Sequence, residues 1–521
     1  MSKKGEFDRS MNSKKKYINI SIMILLGIVT IAMLVPFIYV SKYSYPFADD
    51  FSYGADAHKV FTETRSVWLT VIEAFKTSAD TYINWQGTYT SCFLMALQPA
   101  VFGRKLYHLT GVILLGSLFL SYCVLGYGVL RILLKASYFV TTCVTLLTFL
   151  FSAETIVGIA EAFTWFNGAV HYTFIHSLFC CLLGATAIFL HDVKSYSKKR
   201  VIISEVLLCI LALIVAGGNI ISTFGAGLFL SIVLLYLFLF VRDRVKPMLP
   251  ITIAYLTGMF TNLLAPGNTK KFEIMNEPHG VFETIWQAFY CAGYFISHYF
   301  SWEIVCVMVV IGVVFWYACS SEKILEKSGV TFHVPGLVVL ASFCLLAALC
   351  VPLIYVQPPA LELKYVIIEE FHTIRVVNVI YFSTILLIIL DELYLLGWIF
   401  QKVKVEFKQS VAAILTVASL IVCVVVCGAN MNKYENYYLT SAAIGNITSG
   451  TANYYGYQMA ENTNRLESDA DDVLVMPIGV DPDCLFPFDA EDWKAGTKLF
   501  YQKNSVEYES EPFEFHKYIK E

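Results

Sequence analysis

The sequence predicts an all-α polytopic membrane protein of about eleven transmembrane helices with its N-terminus inside, and two observations carry that expectation. The first is composition. Apolar residues fill 57% of the 521 positions and charged residues only 15%, against about 25% charged and about 45–50% apolar in a soluble domain. The second is the sorting of basic residues. If Lys14, Lys15 and Lys16 are cytoplasmic, every second connection is basic: Arg131 and Lys135, then Lys194, Lys198, Lys199 and Arg200, then Arg242, Arg244 and Lys246. Lys323 and Lys327, then Lys402, Lys404 and Lys408, complete the series. This is a positive-inside pattern, and one missed helix would break it. The formal net charge of −4 is then uninformative, because charge is divided by side of the membrane.

Residues 1–17 form a basic cytoplasmic N-terminus. The apolar run at 18–40 is too long for the core of a signal peptide and has no small-residue cleavage pattern before Lys42, so it is expected to stay as the first helix. Further spans are expected at about 107–134, 138–153, 169–190, 201–217, 220–241, 249–264, 300–319, 333–355, 375–399 and 409–428. Together they make a transmembrane domain over 18–428. Its first outer loop, 41–106, carries Val60, Val67, Val71, Phe75 and Tyr82 at helical spacing between charged residues, which predicts amphipathic helices at the interface. Val281–Ile296 has the same character. Residues 429–521 form an extracytoplasmic C-terminal region, read as a small α+β cap: Asn430–Gln458 helical, Asp472–Val480 a strand and Lys498–Ser505 a second strand. The 14 Cys have no paired spacing and fall mostly in apolar runs, which fits core residues and not a disulfide framework or metal site. There is no P-loop for an ATP-driven pump, and no basic patch calls for nucleic acid.

The outer loops are rich in Trp, Tyr, Asn, Asp and Pro, and function concentrates on loops held by a rigid scaffold. In Pro46-Phe47-Ala48-Asp49-Asp50-Phe51-Ser52-Tyr53-Gly54 two carboxylates sit between aromatic rings where the first helix leaves the bilayer. Asp49 and Asp50 read as a general base or as metal-holding carboxylates, since partial desolvation raises a carboxyl pKa into a useful range. The alternative is solvated charge, or an N-cap for a helix starting near Phe51. Asn84-Trp85-Gln86-Gly87-Thr88-Tyr89 combines rings and amides of the kind that bind sugars, with Trp85 and Gln86 as candidates; an interfacial aromatic anchor is the other reading. The same choice applies to Glu161, Trp165, Asn167 and His171, beside Tyr172. Ala265-Pro266-Gly267-Asn268 with Lys270 and Lys271 is a turn that also suits an anion. His372 and Arg375 lie at the outer edge of the tenth span, and the Arg375 fork can bond two phosphate oxygens at once; the other reading pairs Arg375 with Glu370 or lets it snorkel to the interface. Basic groups on the outer side run against the positive-inside trend.

PFADDFSYG, NWQGTY and APGN, taken in that order on one predicted face, resemble the multi-pass glycosyltransferases of the type C fold (GT-C), and more closely a family of bacterial multi-pass proteins grouped with them, over about residues 45–500. The resemblance implies transfer of a sugar from a polyprenyl-phosphate lipid donor to a glycan or lipid-linked acceptor at the outer face of a bacterial cell membrane. It implies Asp49 or Asp50 as base, Asn268, Lys270, Lys271 and Arg375 around the leaving phosphate, and Trp85, Gln86, Trp165 and Asn167 lining the sugar pocket. A divalent cation, Mg²⁺ or Mn²⁺, on Asp49 and Asp50 is the one cofactor the sequence leaves open. Two other functions stay open: a transporter, flippase or polymerase of envelope glycan using Asp391, Glu392 and His176 along an inward path, and a scaffold whose tail binds envelope partners.

Overall fold

The computed structural model describes residues 3–275, 280–300, 302–356, 374–403, 438–486 and 494–509, with positions 418 and 421. The protein is nearly all-α. Among the described residues, seven helices are long and apolar enough to cross a membrane, and an eighth crossing results if one bent pair counts as a single span.

The chain begins with α1 (Lys3–Ser41) and continues through the first loop with α2 (Asp49–Thr64), α3 (Val67–Asn84) and α4 (Tyr89–Ala96). The apolar helices α5 (Arg104–Leu133), α6 (Tyr138–Glu154) and α7 (Phe166–Asp192) follow. Next come α8 (Lys198–Ala216), α9 (Ile220–Phe240), α10 (Val245–Leu263), α11 (Pro266–Met275), α12 (Val281–Tyr299), α13 (Trp302–Ser321), α14 (Pro335–Val356) and α15 (Ile374–Val403). Each of the ten predicted spans up to residue 399 falls on one of these helices. The eleventh, 409–428, lies outside the described residues, as do Lys404 and Lys408.

Three of the ten differ in kind from a simple span. Helix α6 has 17 residues and is buried around nearly its whole circumference by α1, α5, α13 and α15. A helix apolar on every face belongs at the centre of a bundle. Helix α8 carries Lys198, Lys199, Arg200 and Glu205 within its length. The chain bends by 42° between α10 and α11, at the APGN turn.

The helices of the first loop form as the spacing predicts. Arg65, at φ 54°, ends α2 in the left-handed conformation, and its N–H closes on the Phe61 carbonyl. Ser66 then caps α3 by accepting the Leu69 N–H. Helix α3 leaves Val67, Trp68, Phe75 and Ile83 exposed, and α12 leaves Phe282, Ile285, Trp286 and Tyr290 exposed while burying Ala288, Cys291, Ala292 and Phe295. Both therefore present large apolar side chains on the outer surface.

The C-terminal region starts with α16 (Leu439–Thr448) and α17 (Thr451–Leu466), separated at Gly450, where φ is +77° and a side chain would be strained. β1 (Asp472–Val475) pairs in parallel with β2 (Ser505–Tyr508), Asp472 opposite Ser505. The second strand is therefore later than expected. Residues 498–500, which open the predicted strand Lys498–Ser505, instead end the helix α18 (Lys494–Phe500), in which Gly496 and Phe500 share one face against α2. Gly496 approaches Ser52, and the Phe500 ring meets Phe51 at 5.5 Å and stacks on His58 at 4.1 Å. This region lies directly on α1 and α2.

Candidate functional site

The starts of α2, α7 and α15 and the body of α11 bring their polar residues to one place. The backbone leads into α2 through Ala48, which holds φ 51° and ψ −116°. A non-glycine residue in that region costs about 1–3 kcal/mol and persists only where its surroundings impose it. Here the imposition comes from Asp50. Its side chain is fully enclosed and accepts three hydrogen bonds: the Phe47 N–H at 3.0 Å, the Tyr107 hydroxyl at 2.5 Å and the Asn167 N–H at 3.0 Å. Burial pushes the Asp50 carboxyl up to about 7, and these donors work against that shift. Asp50 thus ties together the turn before α2, the start of α5 and the start of α7.

Asp49 has different neighbours. It is only partly buried, and the opposite charges that act on it are Arg375 and Lys271. Burial raises its carboxyl above the ordinary Asp range, and the two cations pull part of that rise back. The adjacent acids therefore divide. One is enclosed and saturated with donors, and the other looks onto a cationic pair.

The two cations are aimed by aromatic and amide groups. The Arg375 guanidinium lies over the Trp165 ring, 4.7 Å from its centroid, a cation–π arrangement. Glu161 accepts the backbone N–H of Arg375 and so caps the first turn of α15. Burial raises the Glu161 carboxyl and Arg375 lowers it. Lys271 donates to Gln86 Oε1 at 3.2 Å and stands 5.0 Å from the Trp85 ring. Gln86 Nε2 donates to the Tyr53 hydroxyl at 3.0 Å and to Cys92 Sγ at 3.4 Å. Tyr172 and His171 stand near Arg375 on the α7 side. Two buried polar groups face this region without a hydrogen-bond partner: both amide atoms of Asn167 and Nδ1 of His171.

The NWQG and APGN motifs meet because they interlock. A Cβ on Gly87 would come 2.0 Å from the Asn262 carbonyl oxygen, and one on Gly267 would come 2.6 Å from the Gln86 backbone nitrogen. Asn268 donates to the Asn262 and Leu263 carbonyls at 2.7 and 3.2 Å and accepts the Gly87 N–H at 2.9 Å. Asn268 is accordingly a brace between the two motifs. Lys270 reaches away to Asn84 Oδ1 at 2.7 Å. Of the residues singled out in the sequence, Asp49, Gln86, Glu161, Trp165, Asn167, His171, Lys271 and Arg375 come together, with Trp85 at the exposed edge. His372 lies outside the described residues.

Sequence reasoning missed three members. Tyr53 lies within the first motif but carries no separate signal there. Tyr107 opens an apolar span, where a lone Tyr reads as an interface anchor. Phe486 lies far away in the C-terminal region, yet its ring sits 4.6 Å from Phe47 and 4.8 Å from Trp165.

Among the described residues no three His, Cys, Asp or Glu side chains converge as a metal-binding set, and Asp49 and Asp50 turn to different neighbours. Neither a family model nor a curated protein matches the chain, so its function is read from the chemistry of the site alone.

Proposed function

We propose that the chain is a glycosyltransferase of the bacterial cell membrane that moves a sugar from a polyprenyl-phosphate donor to an acceptor at the outer face. The observation that supports this most is the isolation of Asp49. It is a half-buried carboxylate with a raised pKa, set beside Lys271 and Arg375 and separate from the saturated Asp50. A base of that kind and a pair of cations are the two things displacement at an anomeric carbon needs.

In this reading Asp49 takes the proton of the acceptor hydroxyl as its oxygen bonds to the anomeric carbon. The bond from that carbon to the phosphate oxygen breaks on the opposite side, and the anomer inverts. The electron pair leaves with the lipid phosphate, whose growing charge Arg375 and Lys271 stabilise. The Arg375 fork bonds two phosphate oxygens, and Lys271 acts as a point charge. Trp85, Trp165, Gln86 and Asn167 bound the sugar. Arg375 and Lys271 supply positive charge near the leaving group. The reading also carries the topology inferred from the basic loops, with eleven spans, N-terminus inside and the site outside.

The test is sugar transfer in proteoliposomes. Asp49→Asn is expected to lower the rate by about 10²–10⁴-fold; transfer at the wild-type rate would remove Asp49 as base and the proposal with it.

One observation favours a second reading, transport of a lipid-linked glycan. Asp391 and Glu392 lie on α15, the helix that begins beside Arg375, and Glu392 Oε2 is buried without a hydrogen-bond partner. An unpaired acid at membrane depth is a common mark of a transport path. Against it, His176 is enclosed, stacked on Phe382 and in contact with Cys180, so it lines no such path. Loss of glycan movement in Glu392→Gln with sugar transfer intact would support this second reading.

A further inference from the structure

The C-terminal region reaches the site through one side chain. Phe486 follows Cys484 and Leu485 in the connection after β1, and three hydrogen bonds fix this stretch. The Cys484 N–H donates to Asn446 Oδ1 at 3.0 Å, the Thr164 hydroxyl donates to the Cys484 carbonyl at 2.8 Å, and the Tyr455 hydroxyl donates to the Phe486 carbonyl at 2.9 Å. Asn446 and Tyr455 belong to α16 and α17, whereas Thr164 directly precedes Trp165. The Thr164 bond therefore joins the tail to the segment that bears the site's indole, and the other two brace the stretch within the tail.

The indole is held on several sides. Trp165 is almost wholly enclosed, its Nε1 donates to the Phe47 carbonyl at 3.1 Å, and Gly168 lies so close that a Cβ there would come 2.6 Å from the ring. Phe47 and Phe486 close the remaining contacts, with ring centroids 6.2 and 4.8 Å from that of Trp165. Arg375 rests over this same ring. The Arg375 side chain is long and flexible, and a ring fixed in position is what restricts where its charge can sit.

We infer that Phe486 is a positioning residue: the C-terminal region completes the phosphate-binding half of the site by wedging Phe486 against Trp165, which in turn holds the Arg375 guanidinium in place. The inference rests on the lipid-phosphate reading given above. It assigns the tail a part in donor binding and sets it apart from a free domain for envelope partners.

The experiment measures binding of a polyprenyl-phosphate analogue, without acceptor, to the full chain in detergent. Wild type, Phe486→Leu, Phe486→Tyr, Arg375→Ala and the double variant Phe486→Leu/Arg375→Ala are compared, with thermal midpoints recorded for each. Phe486→Leu keeps an apolar side chain but removes the aromatic face, and is expected to weaken binding about tenfold, on the scale of a lost cation–π contact. Phe486→Tyr is expected to bind as wild type does. In the double variant Phe486→Leu should add no further loss to that of Arg375→Ala, because both act through one guanidinium. Equal binding by wild type and Phe486→Leu overturns the inference, and so does simple additivity in the double variant. A folding defect would be seen as additive loss and a lowered midpoint. A wild-type chain that binds no polyprenyl phosphate is a different failure, one that removes the lipid-phosphate reading itself.

Discussion

The backbone N–H of Gly87 donates to Oδ1 of Asn268 at 2.9 Å across 181 residues of chain. Through that bond the NWQG and APGN motifs become one structure, in which Gly267 admits the Trp85–Gln86 backbone and Gly87 admits the Asn262 carbonyl and the Ala265 side chain. Lys271 lies one helical turn beyond Asn268 on α11 and reaches Gln86, the residue just before Gly87. The bond therefore fixes a cation of the site at both its root and its tip.

A side chain at position 87 has no room. In Gly87→Ala the new methyl would lie 2.0 Å from the Asn262 carbonyl oxygen, so α10 and the 84–89 turn must part. The expected cost is about 1–3 kcal/mol of stability, together with loss of the Lys271–Gln86 contact. Asn268→Ala, which leaves the Gly87 N–H unpaired, should cost about 1–3 kcal/mol by a different route. Thermal melting and donor binding measured side by side check both; unchanged melting in Gly87→Ala would show that the two motifs do not interlock.

Asp49 and Asp50 should separate cleanly in their pH behaviour. Asp49→Asn should slow transfer by about 10²–10⁴-fold with little change in stability. In the wild type, the acid limb of kcat/KM should have its midpoint above the ordinary Asp value of 3.8, because burial raises the Asp49 carboxyl. Asp50 acts on folding instead. Its folded-state pKa of about 7 lies above its ordinary 3.8, so the unfolded chain loses this proton first as pH rises. Its contribution to stability is therefore full below pH ~4 and is lost as pH climbs through ~7. Asp50→Asn should be less stable overall, since an amide cannot accept from all three donors, and its stability should fall less steeply between those pH values. Parallel slopes for wild type and Asp50→Asn would contradict the burial of Asp50.

The sequence reveals the bundle more readily than the site. Long apolar runs and the alternation of basic loops depend on composition over ~20 residues, and that signal survives the loss of any one position. Lys271 and Arg375 are legible as basic groups that run against the predicted positive-inside pattern, and Asp49 as half of an acidic pair between aromatic rings. What separates Asp49 from Asp50 was not legible, because it depends on Tyr107 and Asn167, which arrive from other helices. Lys270 and Lys271 are likewise equivalent in sequence, and only the bend between α10 and α11 sends one to Asn84 and the other to Gln86. The sequence predicts a strand where α18 ends because Lys498–Ser505 is short, and contact with α2 decides its conformation. Phe486 had no signal at all, since a lone Phe in a loop is ordinary until its neighbours are known.

The two cations should fail differently. Arg375→Lys keeps the charge but loses the planar fork and its stacking on Trp165, so it should not restore function. Donor KM is expected to rise about tenfold or more, with kcat falling as well if the guanidinium also stabilises the leaving phosphate. Lys271→Ala should raise donor KM by a smaller factor. Lys271→Arg should recover part of that loss, because a point charge beside Gln86 is all that position supplies. Steady-state kinetics at varied donor concentration test this, and full activity of Arg375→Lys would show that charge alone is recognised there.

Glu154 is the anchor of the C-terminal region, and its removal should be felt at a distance. The carboxylate ends α6 in a nearly enclosed position and accepts both the Thr440 N–H at 3.0 Å and the Thr440 hydroxyl at 2.6 Å. In Glu154→Ala both acceptor oxygens are removed and the Thr440 N–H loses its partner, at about 1–3 kcal/mol. Helix α16 should then undock from α1 and α6 while the bundle stays intact. Amide exchange should quicken across Leu439–Leu466 with little change in α5 or α7. Asn446 on α16 holds the Cys484 N–H, so exchange at Cys484 should quicken as well, and donor binding should weaken towards the level of Phe486→Leu. Faster exchange in α16 with unchanged donor binding would show that the tail can loosen at its root without moving Phe486.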